Sequence, residues 1–413
     1  MAPAAASPHA PRAAAPSASC IAPTQPAWID YADKWVPFRR LFFHPGLAVA
    51  LAHTAPAADA RSGGAQVAYW VMSLKAMVGT PSHPANPSSV STSAARLAAA
   101  AVKVTNCDTP VVALNELHGA RLQPPWSRSN AQYRANVLEL VRALAEHGAQ
   151  PHLLISESGA TSGAAGDWWR SVAATATIVR EVYMPAPALH ALGASGATIY
   201  LRFQLRRAVR NFTTIGIPSS RVGLALGFHL GRGGRNGLGA APWLGVVKRE
   251  GLAARLVASE LGLDSVWSWG WASFAGASRD PNKADAACVY LWARNPSLCD
   301  APAVAGRGFD SSRAQPPEAA GRGNVRLRAL SARHPVWLEV RAAAKLAARV
   351  AYVQQRTADG WRSVRRVILA PFHPMRLRLS LPNGPHVLRV SVAAESAPQG
   401  TAFSTAPLGV RVH

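Results

Sequence analysis

The sequence predicts an α/β chain: a TIM, or (β/α)8, type barrel followed by a C-terminal all-β sandwich of the Ig-like or fibronectin-like kind. Three observations carry this prediction. Over roughly the first 300 residues one unit recurs: a helical stretch ends near Gly or Asn, a short polar turn follows, and the chain enters a run of β-formers. Those runs are apolar throughout rather than alternating, the pattern of strands covered on both faces and hence of a parallel sheet. The composition breaks at 302–324, and beyond the break the apolar period becomes two.

Residues 1–30 are an Ala/Pro/Ser-rich tract with no apolar stretch of the signal-peptide kind, and disorder is expected there. The barrel is expected over 31–301, near the ~250 residues typical of the fold. Its strands fall at GLAVAL (46–51), VAYWVM (67–72), PVVALNE (110–116), PHLLISE (151–157), IVREVYM (178–184), VGLALGF (222–228) and SVWSWGW (265–271), with room for an eighth. Helices lie between them near 88–103, 129–147, 165–176, 198–215 and 243–261. In the helix at 129–147, Asn130 can cap, Val137, Leu138, Leu140, Val141 and Leu144 make an apolar face, and Gly148 ends it. A doubly wound open sheet is the rival architecture, but no GxGxxG follows the first strand.

The stretch 302–324 is rich in Gly, Pro, Ala and Ser and reads as a linker. The sandwich is expected over 325–413, in seven short strands at 325–330, 336–340, 349–356, 361–369, 375–381, 386–392 and 408–412. Asp359-Gly360 and Pro382-Asn383-Gly384 supply hairpin turns between them. Arginines alternate with apolar residues here (Arg326, Arg328, Arg376, Arg378, Arg389), which puts them on solvent faces of strands.

The net charge is +23, from 44 basic and 21 acidic residues. Such a charge favours polyanions such as nucleic acid, teichoic acid or acidic glycans. The chain has no clustered basic helix and no aromatic-basic RNA motif, so a specific nucleic-acid partner is not expected. No apolar run approaches the ~20 residues of a membrane span, so a soluble protein is expected. Of the four cysteines, Cys288 and Cys299 are spaced to suit a local disulfide, whereas Cys20 and Cys107 have no evident partner. A disulfide implies a secreted or cell-surface protein, against which stands the lack of a visible signal peptide. No CxxC or His cluster suggests a metal, and nothing calls for a cofactor.

The most informative motif is PVVALNELHG (110–119), where an apolar strand ends in an Asn-Glu pair. A carboxylate there would sit at the rim of a barrel, where such folds place their chemistry. The barrel and the pair resemble the large clan of retaining glycoside hydrolases on (β/α)8 barrels. The resemblance implies that Glu116 is the general acid/base and that Asn115 binds a sugar 2-hydroxyl. It also implies aromatic residues at the last strand, where this chain has Trp267, Trp269 and Trp271, all on one face by strand parity. From about Trp28 onward the chain further resembles exported proteins of GC-rich bacteria that join a hydrolase-like barrel to a C-terminal sandwich.

The strand that holds the nucleophile in that clan corresponds to LGFHLG (226–231), which contains no carboxylate; His229 stands there instead. Glu157, ending the strand after Glu116, is kept as second carboxylate, because retention needs two carboxyl groups ~5 Å apart and inversion ~6.5 to 9.5 Å. Glu181 reads as a mid-strand residue paired with Arg180 or Arg202. Further candidate contacts are His118 and His229 on the rim and Tyr69 with Trp70 at the mouth. The loop GRGGRNG (231–237) can offer backbone amides, Arg232 and Arg235 to an anion, or can simply be a flexible turn. No GxSxG elbow is present, which disfavours a serine hydrolase. Three functions follow as expectations: a glycan hydrolase using Glu116 with Glu157 or a water held by His229; a barrel without a nucleophile that binds carbohydrate or a cell-wall polymer; and a structural or adhesive exported protein.

Overall fold

The computed structural model describes residues 20–21, 26–32, 35–71, 73–115, 117, 130–156, 161–229, 231, 234–271, 280, 282–305, 325–331, 333–342, 350–369, 374–393 and 401–413. Eight parallel strands close a barrel in chain order: β1 (Ala27–Tyr31), β2 (Ala48–Leu51), β3 (Gln66–Val71), β4 (Val111–Leu114), β5 (Gln150–Ile155), β6 (Thr177–Val182), β7 (Val222–Gly227) and β8 (Ser265–Trp269), with β8 pairing back onto β1. The helices are α1 (Arg39–Phe42), α2 (Thr54–Ser62), α3 (Lys75–Val78), α4 (Pro87–Thr105), α5 (Ala131–Glu146), α6 (Ala164–Ala173), α7 (Ala186–Ala191), α8 (Gly193–Thr213), α9 (Ala240–Leu261), α10 (Lys283–Arg294) and α11 (Ala301–Ala305).

The fold expected from the repeating unit is the one observed, and the eighth strand is β1. It begins inside the stretch expected to be disordered, so the barrel starts at Ala27 rather than at residue 31. Contacts to three parts of the barrel hold this N-terminal segment, among them a bond from Gln66 Nε2 to the Cys20 carbonyl at 2.7 Å. Ala27 N donates to Asp264 O at 2.9 Å, and Cys20 is bridged to Cys107, just after α4. The expected pair Cys288–Cys299 is also bridged, joining α10 to the turn after it.

Strand alternation sorts the barrel's side chains into two layers. Val49, Leu51, Val67, Val112, Leu114, Leu153 and Ile155 face the helices, whereas Ala48, Ala50, Ala68, Ala113, Val179 and Ala225 face the interior. The interior is filled unevenly, by Tyr31, Trp70 and Trp267 set among alanines and glycines. A lumen of fixed width that admits three large rings leaves room only for small residues opposite them. Gly223 and Gly227 show the same limit, since a Cβ there would approach Ser265 Oγ to 2.5 Å and the Tyr183 ring to 2.6 Å.

Local signals at helix ends work in part. Gly148, at φ +82°, ends α5 as expected, but Asn130 makes no side-chain cap bond; a cap that does form is Asn86 on α4, which accepts from Ser88 N at 3.1 Å.

The C-terminal unit is antiparallel, in two sheets. One has the order β13-β10-β9, from β9 (Val325–Ser331), β10 (Val336–Ala342) and β13 (Met375–Leu379). The other contains β11 (Val350–Thr357), β12 (Gly360–Ile368), β14 (Gly384–Ala393), β15 (Thr401–Ser404) and β16 (Leu408–Val412). A single apolar core takes Leu338 and Val340 from the first and Val353, Leu388 and Val390 from the second, as a sandwich requires. Asp359-Gly360 does turn a hairpin, with Thr357 opposite Gly360. Residues 382–384 do not: β13 pairs with β10 and β14 with β11 and β16, so this turn carries the chain from one sheet to the other. An eighth strand, β15, adds to the seven expected.

Candidate active site at the barrel mouth

The C-terminal ends of the strands define the mouth. Asn115 follows β4 directly, half-buried, on the parity of the interior residues Val111 and Ala113. Its carbonyl accepts from Leu74 N at 3.4 Å, which ties the end of β4 to the segment after β3. Glu116, His118 and Glu157 lie outside the described residues.

The aromatic candidates separate into three groups. Trp70 is buried, stacked on Tyr31 at 3.7 Å and 12°, and Trp267 is buried 6.3 Å from Trp70 and 5.6 Å from His152. Both fill the barrel below its mouth. Tyr69, next to Trp70, packs half-buried against the helix layer on the opposite face. Trp269 is the half-buried one of the three β8 tryptophans. It stacks on Tyr183 at 5.6 Å and 14°, and the His229 ring stands edge-on to both, at 5.3 and 6.3 Å.

Trp271 does not share a face with Trp267 and Trp269. β8 ends at Trp269, and Gly270 at φ +90° turns the chain, so that Trp271 enters the helix layer. There it stacks on Phe228 at 4.3 Å and donates to Ser268 Oγ at 2.7 Å. Only glycine fits this turn, because a Cβ would lie 2.7 Å from His229 N.

A charged cluster lies beside His229. Lys283, the first residue of α10, is buried, donates to the Phe228 carbonyl, and sits 5.3 Å from the Trp243 ring. Burial brings its ammonium down to about 8; Asp280 opposes that shift and Arg235 adds to it. His229 is held below the ordinary imidazole value, first by burial and then by the Lys283 charge, so its ring is neutral and can accept or donate one hydrogen bond. Arg235 is engaged with Asp280 at 2.6 Å, with the Leu238 carbonyl at 2.7 Å, and with the face of Trp243 at 5.0 Å. The guanidinium offered by the Gly-rich loop therefore braces that loop instead of standing open to an anion; Arg232 lies outside the described residues.

Glu181 is half-buried near the end of β6. The Arg202 guanidinium bonds Glu260 at 2.6 Å, and Arg180 reaches the carbonyls of Ile155, Ser156 and Glu181. Asp30 is fully buried on the outer side of β1, accepting from Ser268 Oγ at 2.5 Å and Arg294 at 3.2 Å. Burial raises its carboxyl pKa and Arg294 opposes the shift. With no exposed surface, this carboxyl ties β1, β8 and α10 together and has no route to a substrate. Among the described residues no group of three or more His, Cys, Asp or Glu is placed to hold a metal ion.

The sequence reading missed Tyr183, Asp280 and Lys283. Tyr183 was accessible by parity, two positions beyond Glu181 and four beyond the interior Val179. Lys283 and Asp280 carried no such signal, because their place depends on Phe228 and Arg235, partners more than 40 residues away in the chain.

Together these elements define a (β/α)8 barrel with an aromatic, cation-flanked mouth, joined to an antiparallel β sandwich. No family model matches the chain, and no curated protein does. Among solved structures it is similar to a trimodular endoglucanase of the GH5_4 subfamily, with 12% identity, TM-score 0.41, and coverage of 96% of this chain and 79% of that one. Active domain 2 of a thermostable chitinase from Pyrococcus furiosus shows 10% identity and TM-score 0.39, covering 68% and 98%. An L-ribulose 3-epimerase shows 13% identity and TM-score 0.35, covering 64% and 89%. At these values the likeness says nothing of this chain's chemistry.

Proposed function

We propose that the barrel mouth is a glycan site and that the chain is a glycoside hydrolase-like protein, with Glu116 as general acid/base, Asn115 as partner of a sugar hydroxyl and Glu157 as second carboxylate. The observation that carries the glycan part is the half-buried Tyr183–Trp269 stack with His229 edge-on beside it. Flat aromatic faces at a partly open rim, with one neutral imidazole for directed hydrogen bonding, suit a ring that is apolar on its faces and hydroxylated at its edge. The acid/base part rests on the Asn-Glu pair that follows β4 and on the clan it resembles. Such a proton donor must have its carboxyl pKa raised toward neutrality to protonate a leaving oxygen.

A second reading, a barrel that binds carbohydrate or cell-wall polymer without cleaving it, is favoured by one observation. The end of β7, where the clan keeps its nucleophile, presents Gly227, Phe228 and His229. Incubation with glucan, mannan and chitin oligosaccharides, followed by product analysis, separates the two. Cleavage by the wild type that Glu116→Gln abolishes supports the hydrolase; cleavage that survives this substitution removes Glu116 from the mechanism. Binding without cleavage, lost in Trp269→Ala, supports the second reading, and oligosaccharide binding unaltered by Trp269→Ala refutes a glycan site at this mouth.

A further inference from the structure

We propose that the outward face of the sheet β13-β10-β9 is a docking surface for an anionic polysaccharide, independent of whatever the barrel mouth does. Alternation sends Val336, Leu338 and Val340 into the sandwich core and leaves the other side of the same sheet to five exposed arginines: Arg326, Arg328, Arg341, Arg376 and Arg378.

The register arranges them as an array. Arg376 and Arg328 flank Glu339, Arg378 stands opposite Trp337, and Arg341 stands opposite Arg326. Glu339 is the acidic residue of the array, and Arg341 Nε already donates to it at 2.6 Å. Two guanidinium groups directly across a ladder repel each other, so the Arg326–Arg341 pair does nothing for the sheet's own stability. Trp337 is 39% exposed and Leu330 41%, on a face that folding alone would leave polar.

The geometry points to a linear polymer rather than a small anion. Outward residues repeat every second position, ~6.8 Å along a strand, so the guanidinium groups form parallel rows across the sheet. Guanidinium forks recognise carboxylate, sulfate or phosphate oxygens in pairs and give up hydration more readily than ammonium does. Beside them the Trp337 face can receive the apolar side of a sugar ring.

Nucleic acid fits less well. A three-stranded sheet is too wide for the major groove, which admits a helix or a two-stranded ribbon, and one exposed tryptophan is not the series of stacking aromatics used on single strands. The disulfides Cys20–Cys107 and Cys288–Cys299 belong to an oxidising compartment, outside the cytoplasm that holds most nucleic acid.

The test uses the full-length protein on immobilised polygalacturonate. The wild type should be retained at low salt and released as salt rises. Replacing Arg326, Arg328, Arg376 and Arg378 together by Ser should weaken binding by at least ~tenfold, because ionic contacts of this kind add steeply with number. A control set with the same loss of charge, Arg356, Arg362, Arg365 and Arg366 on the other sheet replaced by Ser, should change it less than ~twofold. All eight side chains are exposed, and matching circular dichroism and melting curves establish that both variants are folded. The variant lacking Arg326, Arg328, Arg376 and Arg378 should keep whatever binding or cleavage of neutral glucan, mannan and chitin oligosaccharides the wild type shows, which keeps failure here distinct from failure of the glycan reading of the barrel mouth. Equal loss from the two sets of four, undiminished binding by the first set, or tighter binding to double-stranded DNA than to polygalacturonate would each overturn the proposal.

Discussion

Removing the Cys20–Cys107 bridge should destabilise the barrel more than removing Cys288–Cys299, and the expected gap follows from the chain lengths they close. The first spans 87 residues and the second 11. Loop-closure entropy then assigns about 4.6 kcal/mol to the first and about 2.8 kcal/mol to the second at 25 °C, a gap of about 1.8 kcal/mol. The structure adds to the same side, because β1 is five residues long, joins β8 to β2, and follows Cys20 closely in the chain. At about 2 to 4 °C per kcal/mol for a unit of this size, Cys20→Ser/Cys107→Ser should melt about 4 to 7 °C below Cys288→Ser/Cys299→Ser. Differential scanning calorimetry without reductant, following the barrel transition, measures the gap. Equal melting temperatures, or the opposite order, would refute the assignment of the long-range bridge as the one that secures the closing strand.

Three further outcomes are expected. Gly270→Ala should cost about 2 to 4 kcal/mol, from a side chain at positive φ added to a backbone contact that cannot yield, and it should shift the fluorescence of the neighbouring tryptophans; a melting curve identical to wild type would show that the turn is relaxed. Trp70→Ala should cost about 3 to 5 kcal/mol in urea unfolding, as emptying the barrel interior does, and should leave glycan affinity intact per folded molecule; a large loss of affinity at unchanged stability would return Trp70 to the mouth. His152, fully buried beside Trp267, has its imidazole pKa lowered, first by burial, with Asp264 opposing the shift. The unfolded chain therefore binds more protons below pH 6.5, so stability falls as the pH drops from there to the depressed folded value. His152→Gln should flatten that part of the pH profile measured by urea unfolding, and an unchanged slope would assign it to other groups.

Legibility differed from element to element for identifiable reasons. The helices α4, α5 and α9 declare themselves through long amphipathic stretches, and β7 through a short run of unbroken apolar residues. β1 was hidden: AWIDY is five residues long, includes a buried Asp, and adjoins a tract whose composition signals disorder. The Asp becomes compatible with a strand only once Ser268 and Arg294, more than 230 residues away, supply its hydrogen bonds. At the site, the importance of the β8 tryptophans was readable but their separate fates were not. Parity holds up to Trp269 and fails at one glycine, and burial of Trp267 depends on small residues contributed by other strands.

The sequence by itself determined the number and kind of layers, because apolar period and strand length are local properties that fix which faces must be covered. It also determined that the last strand would bring several aromatics toward one end of the barrel. Only the tertiary structure decided which of those aromatics fill the lumen and which meet solvent, and that Lys283 comes to rest beside His229. Both outcomes depend on the closure of eight strands around a lumen of limited width, where each side chain's space is set by residues distant in the chain.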